Sequence, residues 1–374
     1  MAEQLTELGY YALSRHPVTP SELVDEARVA DRIGLGTAFV SERFNVKDAA
    51  VLSGALAAAS CRLGIATAAT NHTTRHPIIT ATMAATLTEL TGGRFALGLG
   101  RGITPQWQIL GLPTITGGQL TEITALLRRL WAEETIIGYD GEIGSFPLLR
   151  LGVALEPPPP IMLITMSPGT LALAGRIADG VVLHTFFSDD ATHRAVRIVR
   201  EAAEQAGRDP ASVRIWSVVA TVGDHLGPDD RMRRLQGRLA TYLQGYPDVL
   251  VGANGWDREV LDRIRATAAF STARGPIDAT ADISELRELA EVMPHSWVAD
   301  SATGNASDCA TTIAAQFDLG VDSVILHGAT PTELEPVVDA YRRVRRDAVV
   351  PPVNPGRAHP TPDTGTDIDG PEAR

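Results

Sequence analysis

Apolar positions along this chain follow two alternating rhythms. Short, nearly continuous apolar runs occur at residues 8–13, 37–41, 63–69, 95–99, 161–165, 180–184, 213–222 and 321–326. Runs of that length and texture predict strands covered on both faces. Between them lie longer stretches that predict helices: 20–33, 49–59, 77–90, 119–131, 170–177, 191–206 and 331–345. In the first of these, Leu23, Val24, Ala27 and Ala30 recur near helical spacing, and Gly34 supplies a stop. A strand–helix alternation repeated eight times favours a closed (β/α)8 TIM barrel, although an open doubly wound sheet fits the same spacing.

Three stretches depart from the rhythm. Residues 136–160 mix Gly, Pro and short apolar pieces and end in four prolines, which predicts a surface excursion of hairpin type. Residues 224–308 have helical texture and no recognisable strand. They read as an insertion before the last strand, near the barrel mouth, where Trp256, Met293 and Trp297 are expected to bear on substrate choice. Residues 350–374 are rich in Pro, Gly, Asp and Thr and poor in apolar side chains, the composition of a disordered tail. The expected organisation is therefore one barrel over 1–349 followed by that tail.

The segment 70–102 carries the most information. His76-Pro77 opens a helix with proline at its first position, and Gly92-Gly93 closes it. The next strand then ends in Gly98, Gly100 and Gly102, which predicts backbone approaching something flat and large at the strand's carboxyl end.

Composition narrows the function. The formal net charge of −12 argues against non-specific nucleic-acid binding. Lys47 is the sole lysine, so Schiff-base chemistry has one possible residue. Cys61 and Cys309 have neither CxxC nor metal-site spacing, so no metal is expected and a reducing compartment is. The first residues lack the basic and apolar regions of a leader, and no apolar run is long enough for a membrane span. A cytoplasmic protein without membrane or nucleic-acid partners is the expectation. Walker, GxSxG and HExxH motifs do not occur at sensible places.

Several positions suggest chemistry. Ser167-Pro168-Gly169-Thr170 opens a helix whose free N–H groups and positive dipole end form an anion site. An ordinary helix cap has the same sequence. Arg101, just past a glycine-spaced strand, can clamp the same anion. His184 and His327 fall at strand ends, where barrel chemistry collects, and Tyr11 and Trp107 are candidates for the cavity lining.

Residues 71–102, with HP, TLTELTGGRF and LGLGRG in order, resemble the luciferase-like monooxygenase superfamily. Residues 39–44 (FVSERF) and 161–182 (IMLITMSPGTLALAGRIADGVV) are similar to two further signatures of that family. The resemblance implies a TIM barrel that uses FMN or the deazaflavin F420, and a homodimer. It implies a non-proline cis peptide between Ala68 and Ala69 beneath the cofactor ring. Thr70, Asn71 and Gly100 would complete the ring site, and Arg101, Ser167, Gly169 and Thr170 would hold the phosphate. Glu42 and Arg43, within the signature at 39–44, and His184, from its place at a strand end, are the catalytic candidates. Arg43 departs from the family's usual histidine. An arginine cannot act as a general acid near neutral pH, but it can fix an anionic substrate or stabilise developing negative charge. Ile103 replaces the acidic residue of the sugar-phosphate dehydrogenase branch. The expected activity is hydride transfer between F420 and a small organic substrate. The alternatives are an FMN monooxygenase served by a separate flavin reductase, and a non-catalytic carrier of either cofactor.

Overall fold

A computed structural model describes residues 2–16, 19–44, 46–345 and 350–359. Strands β1 (Leu5–Tyr11), β2 (Leu35–Val40), β3 (Gly64–Thr67) and β4 (Phe95–Gly100) alternate with helices α1 (Leu23–Ile33), α2 (Ala49–Ala59) and α3 (Pro77–Thr91). A short α4 (Thr104–Ile109) and α5 (Gly117–Trp131) follow, then the antiparallel hairpin β5 (Ile136–Gly141) and β6 (Gly144–Leu149). The rhythm resumes with β7 (Ile161–Ile164), α6 (Pro168–Ile177), β8 (Gly180–Val182), α7 (Asp189–Gln205) and β9 (Arg214–Gly223). Seven helical pieces come next: α8 (Pro228–Met232), α9 (Arg238–Gly245), α10 (Pro247–Asn254), α11 (Arg258–Arg265), α12 (Ala268–Ser271), α13 (Ile277–Thr280) and α14 (Ile283–Val292). The chain closes with β10 (Ala302–Gly304), α15 (Ala306–Ala315), β11 (Ser323–His327) and α16 (Pro331–Val344).

Eight strands close into a parallel barrel in the order β9, β11, β1, β2, β3, β4, β7, β8, with β8 returning to β9 through the register Val181↔Ile215. That closure decides between the barrel and the open sheet. Local signals account for the element ends. The His76 ring accepts from Ile78 N–H at the start of α3, Pro77 takes the first helical position, and Gly92 ends the helix at φ +58°. Inside the barrel, Phe39, Ala66, Ala96, Met162, Val182, Trp216 and Ile325 form a packed layer between mouth and base. Phe39 meets Trp216 edge-on with ring centroids 4.9 Å apart.

Three expectations need correction. The first strand runs Leu5–Tyr11 rather than 8–13, because Leu13 takes a left-handed conformation (φ +53°) and turns the chain into the loop. The insertion contains a strand after all. β10 is three residues long, too short to show a pattern, and pairs with Thr221–Gly223 at the far end of the ten-residue β9. Residues 350–359, expected to be disordered, are packed under the barrel base. There Asn354 is buried, and its Nδ2 donates to the carbonyls of Gly93 (2.6 Å) and Phe95 (2.9 Å). Trp216 Nε1 donates to Pro355 O at 2.8 Å. Arg214, fully buried over the Trp216 ring, donates to the carbonyls of Pro352, Asn354 and Thr6 at 2.7–2.8 Å. A composition argument counts apolar side chains. This segment is held through its backbone carbonyls and the Asn354 amide, which a count of apolar side chains does not register. Residues 360–374 lie outside the described residues.

Candidate active site

The carboxyl ends of the barrel strands open into a cavity of about 900 Å³. Its floor includes Ala68 and Ala69, just beyond β3, and Gly100 at the end of β4. The Ala68–Ala69 peptide bond is cis, as the resemblance implies. The chain here is held from both sides: Ala68 N–H donates to Val40 O (2.7 Å), and Thr70 N–H to Gly98 O (3.0 Å). The three glycines serve the protein more than a ligand. A Cβ on Gly98 would collide with the Thr67 carbonyl, and one on Gly100 would sit 2.8 Å from Ala69 Cβ. Gly102, at φ +64°, lies against the Trp107 ring. The glycine rhythm therefore lets β3 and β4 approach each other, and only small side chains remain on the cavity floor.

An adjoining cleft of about 390 Å³ shares Arg101 and Ser167 with the cavity and adds Gly117, Gly118, Gly169, Thr170 and Arg176. Two helix N-termini, those of α5 and α6, face it. Ser167 precedes α6 but does not cap it; its Oγ donates to Thr170 Oγ1 at 3.0 Å. The N–H groups of Gly169 and Thr170 therefore have no acceptor among the described residues. Arg101 Nε donates to Ile115 O at 2.8 Å, which orients the guanidinium; its terminal amino groups have no partner among the described residues. Unclaimed N–H donors, two helix dipoles and two arginines suit a phosphate. The donor set and the flat, small-residue floor fit a phosphate-tailed tricyclic cofactor of either kind.

Several expected site residues play other parts. Glu42 touches the cavity wall, but its oxygens are occupied. Arg75 pairs with both of them, Thr70 Oγ1 donates to Oε2 at 2.7 Å, and Asn71 Nδ2 donates at 3.3 Å. Asn71 Oδ1 in turn accepts from Thr74 N–H (2.9 Å). Thr70 and Asn71 thus brace the acidic end of β2 from below and do not line the cavity. Glu42 itself lines the cavity with both carboxylate oxygens already hydrogen-bonded. No local signal in the sequence ties Arg75 to Glu42, 33 positions away. Trp107 is buried outside the cavity, its indole N–H donating to Arg101 O at 2.6 Å, whereas Tyr11 does line the wall.

Arg43, His184 and His327 all line the cavity, and His327 Nδ1 lies 2.8 Å from the Thr185 hydroxyl beside His184. His184 Nδ1 lies 2.9 Å from Thr185 O. A carbonyl only accepts, so Nδ1 carries the proton and Nε2 keeps its lone pair. Burial pushes the His184 pKa down to about 4, against that hydrogen bond, and the ring is neutral at pH 7. Tyr242 and Tyr246 pack edge-on against it at 4.5 and 5.6 Å.

The insertion roofs the cavity with α9 and the start of α10, and with Gly275 and Pro276, rather than with Trp256, Met293 or Trp297. Trp256 and Trp297 instead stack on each other, 4.4 Å apart and 6° from parallel. Asp278 ties the roof down. It accepts from Thr241 Oγ1 (2.8 Å), pairs with Arg238 (2.5 Å) and meets His16 Nε2 at 2.9 Å. Burial alone would raise its pKa, but hydrogen bonding to His16 and the charge of Arg238 outweigh burial and bring it down to about 2 from 3.8. A folded-state pKa below the unfolded one adds stability above pH 4 that disappears as pH falls toward 2, worth about 2 kcal/mol. Urea unfolding at a series of pH values is expected to show that loss in the wild type. Asp278→Asn should be less stable at pH 7 and lack that component of the acid decline; a parallel decline in both proteins would refute the assignment.

Comparison with known proteins places the chain in a family. The chain is 26% identical over 306 residues to a 5,10-methylenetetrahydromethanopterin reductase of Methanolobus tindarius, covering 80% of this chain and 87% of that protein. It is 30% identical over 191 residues to an F420-dependent glucose-6-phosphate dehydrogenase of Beutenbergia cavernae, covering 48% of this chain and 56% of that one. The coenzyme F420 dependent tetrahydromethanopterin reductase of Methanopyrus kandleri shares the fold with a TM-score of 0.76 at 19% identity, over 92% of this chain and all of that one. The pattern described as luciferase-like monooxygenase matches residues 6–323, most of the barrel and its insertion, and the chain belongs to that family.

Proposed function

We propose that this protein is an F420-dependent oxidoreductase that moves a hydride between the deazaflavin and a small organic substrate. The observation that carries the reading is the continuity of two spaces: a flat-floored cavity over Ala68, Ala69 and Gly100 and a phosphate-type cleft, joined at Arg101 and Ser167. The sequence relatives named above, one of them F420-dependent by name, supply the preference for F420 over FMN. When bound, the deazaflavin supplies a ring carbon that gives or takes hydride.

The protein's own groups bind, orient and exclude water. Gly169 and Thr170 N–H and the Arg101 guanidinium neutralise the phosphate. The alanines of the floor let a ring lie against backbone. The Nε2 lone pair of His184 accepts a hydrogen bond from a substrate hydroxyl, aligning the carbon that bears it over the floor. Tyr242 and Tyr246, packed on that ring, keep water from it.

Titration of the apo-protein with F420 and with FMN tests the reading. F420 is expected to bind at least about tenfold more tightly, a difference of about 1.4 kcal/mol. The loaded protein should then lose or regain deazaflavin absorbance anaerobically with a panel of alcohols and carbonyl compounds. Tighter FMN binding with oxygen consumption in the presence of a flavin reductase would establish the monooxygenase instead. Stoichiometric F420 binding without turnover across the panel would favour a carrier.

A further inference from the structure

The turn that follows β2 carries two cations to the cavity wall. Arg43 N–H donates to Lys47 O at 3.0 Å, and the two residues form an antiparallel bridge. Directly opposed residues of such a bridge project from the same face. Both side chains line the cavity, on a different stretch of wall from the Arg101 cleft. Lys47 is 5% exposed, and its ammonium donates to Leu13 O, leaving its other protons unassigned. Among the described residues the Arg43 guanidinium has neither hydrogen bond nor ion pair.

The nearby carboxylates already have hydrogen-bond partners. Glu42 is bound by Arg75, Thr70 and Asn71. Asp278 is bound by Arg238, His16 and Thr241. Glu26 accepts from Leu13 N–H at 2.8 Å, on the backbone of the residue whose carbonyl takes the lysine. Burial, and then the charge of Arg43, push Lys47 down to about 7 against the pull of Glu26. Two like charges on one wall repel each other, the buried lysine countered only by Glu26 and the exposed guanidinium by no ion pair among the described residues, and an anion arriving from the cavity relieves that repulsion.

We propose that Arg43 and Lys47 form a docking site for an oxyanion of the substrate, so that this protein selects small organic acids over neutral compounds of the same shape. The proposal rests on the reading of the cavity as the substrate side of a cofactor pocket. It assigns Arg43 a role that a histidine at that position would not fill, and gives one to the sole lysine.

Calorimetric titration of the F420-loaded protein with butanoate, ethyl phosphate and butanamide tests it. At least one of the two anions is expected to bind about tenfold or more tightly than the amide, the scale of one charge-assisted hydrogen bond. Whichever anion wins identifies the head group. Arg43→Gln, at an exposed position, and Lys47→Met should each remove most of that preference and leave the fluorescence-measured F420 affinity within about twofold, because neither group lines the phosphate cleft. Equal binding of acid and amide, no binding of either, or a preference unchanged in Arg43→Gln would overturn the proposal. Should F420 itself fail to bind, the cofactor reading falls. The same acid–amide titration on the apo-protein then decides the docking site by the same outcomes.

Discussion

Arg214→Met is expected to cost roughly 3–6 kcal/mol, a large part of the 5–15 kcal/mol that typically holds a domain. Arg214 is fully buried at the base of the barrel, with the carbonyls of Thr6, Pro352 and Asn354 accepting from its terminal nitrogens and Ser323 Oγ from Nε. Burial lowers its pKa to about 9, so it stays charged at neutral pH. Methionine fills much of the volume but leaves buried carbonyls without donors, each worth about 1–3 kcal/mol. Arg214→Lys should fall between the two, because one ammonium cannot match the diverging guanidinium fork. Removal of residues 350–374 takes away part of the same network. Its cost and that of Arg214→Met should therefore be less than additive in a urea double-mutant cycle. Additive costs, or a truncation that leaves the unfolding midpoint unchanged, would show that the segment does not brace the base.

Arg101→Ala is expected to act on binding alone. Its side chain is exposed and spends a single Nε bond on Ile115 O, so the melting temperature of the apo-protein should hardly move. Loss of a guanidinium facing a phosphate should weaken F420 roughly 10- to 100-fold, about 1.4–2.7 kcal/mol. The effect should shrink at high salt, since the cleft opens to solvent. An unchanged F420 dissociation constant would remove the phosphate from this cleft.

These two arginines show how far the chain could be read in advance. Arg101 was legible because its context is local: an apolar strand, spaced glycines and an exposed charge at the carboxyl end. The start of α6 was legible for the same reason, since Ser167-Pro168-Gly169 is a helix-opening signature within four residues. Arg214 was silent. Its meaning depends on carbonyls near residues 6 and 354, brought beneath the barrel only once the eight strands close. Glu42 was found, but its partners were not. Its place at the end of β2 was visible, whereas its commitment to Arg75 depends on the loop after β3 folding back across 33 positions.

Sequence by itself determined the alternation of buried strands and amphipathic helices, the ends of those helices, and the family signatures around residues 40, 70–102 and 161–182. Such signals arise from backbone preferences and side-chain periodicity within a few residues, so they survive without knowledge of the fold. Tertiary structure alone decided which charges remain free. The folded chain takes up Glu42, Asp278, Arg214 and the Lys47 ammonium in ion pairs and carbonyl contacts, and leaves Arg43 and the terminal nitrogens of Arg101 without a partner among the described residues. Partner choice for a charge depends on distance in three dimensions and on desolvation, and neither is encoded in the spacing of residues along a chain.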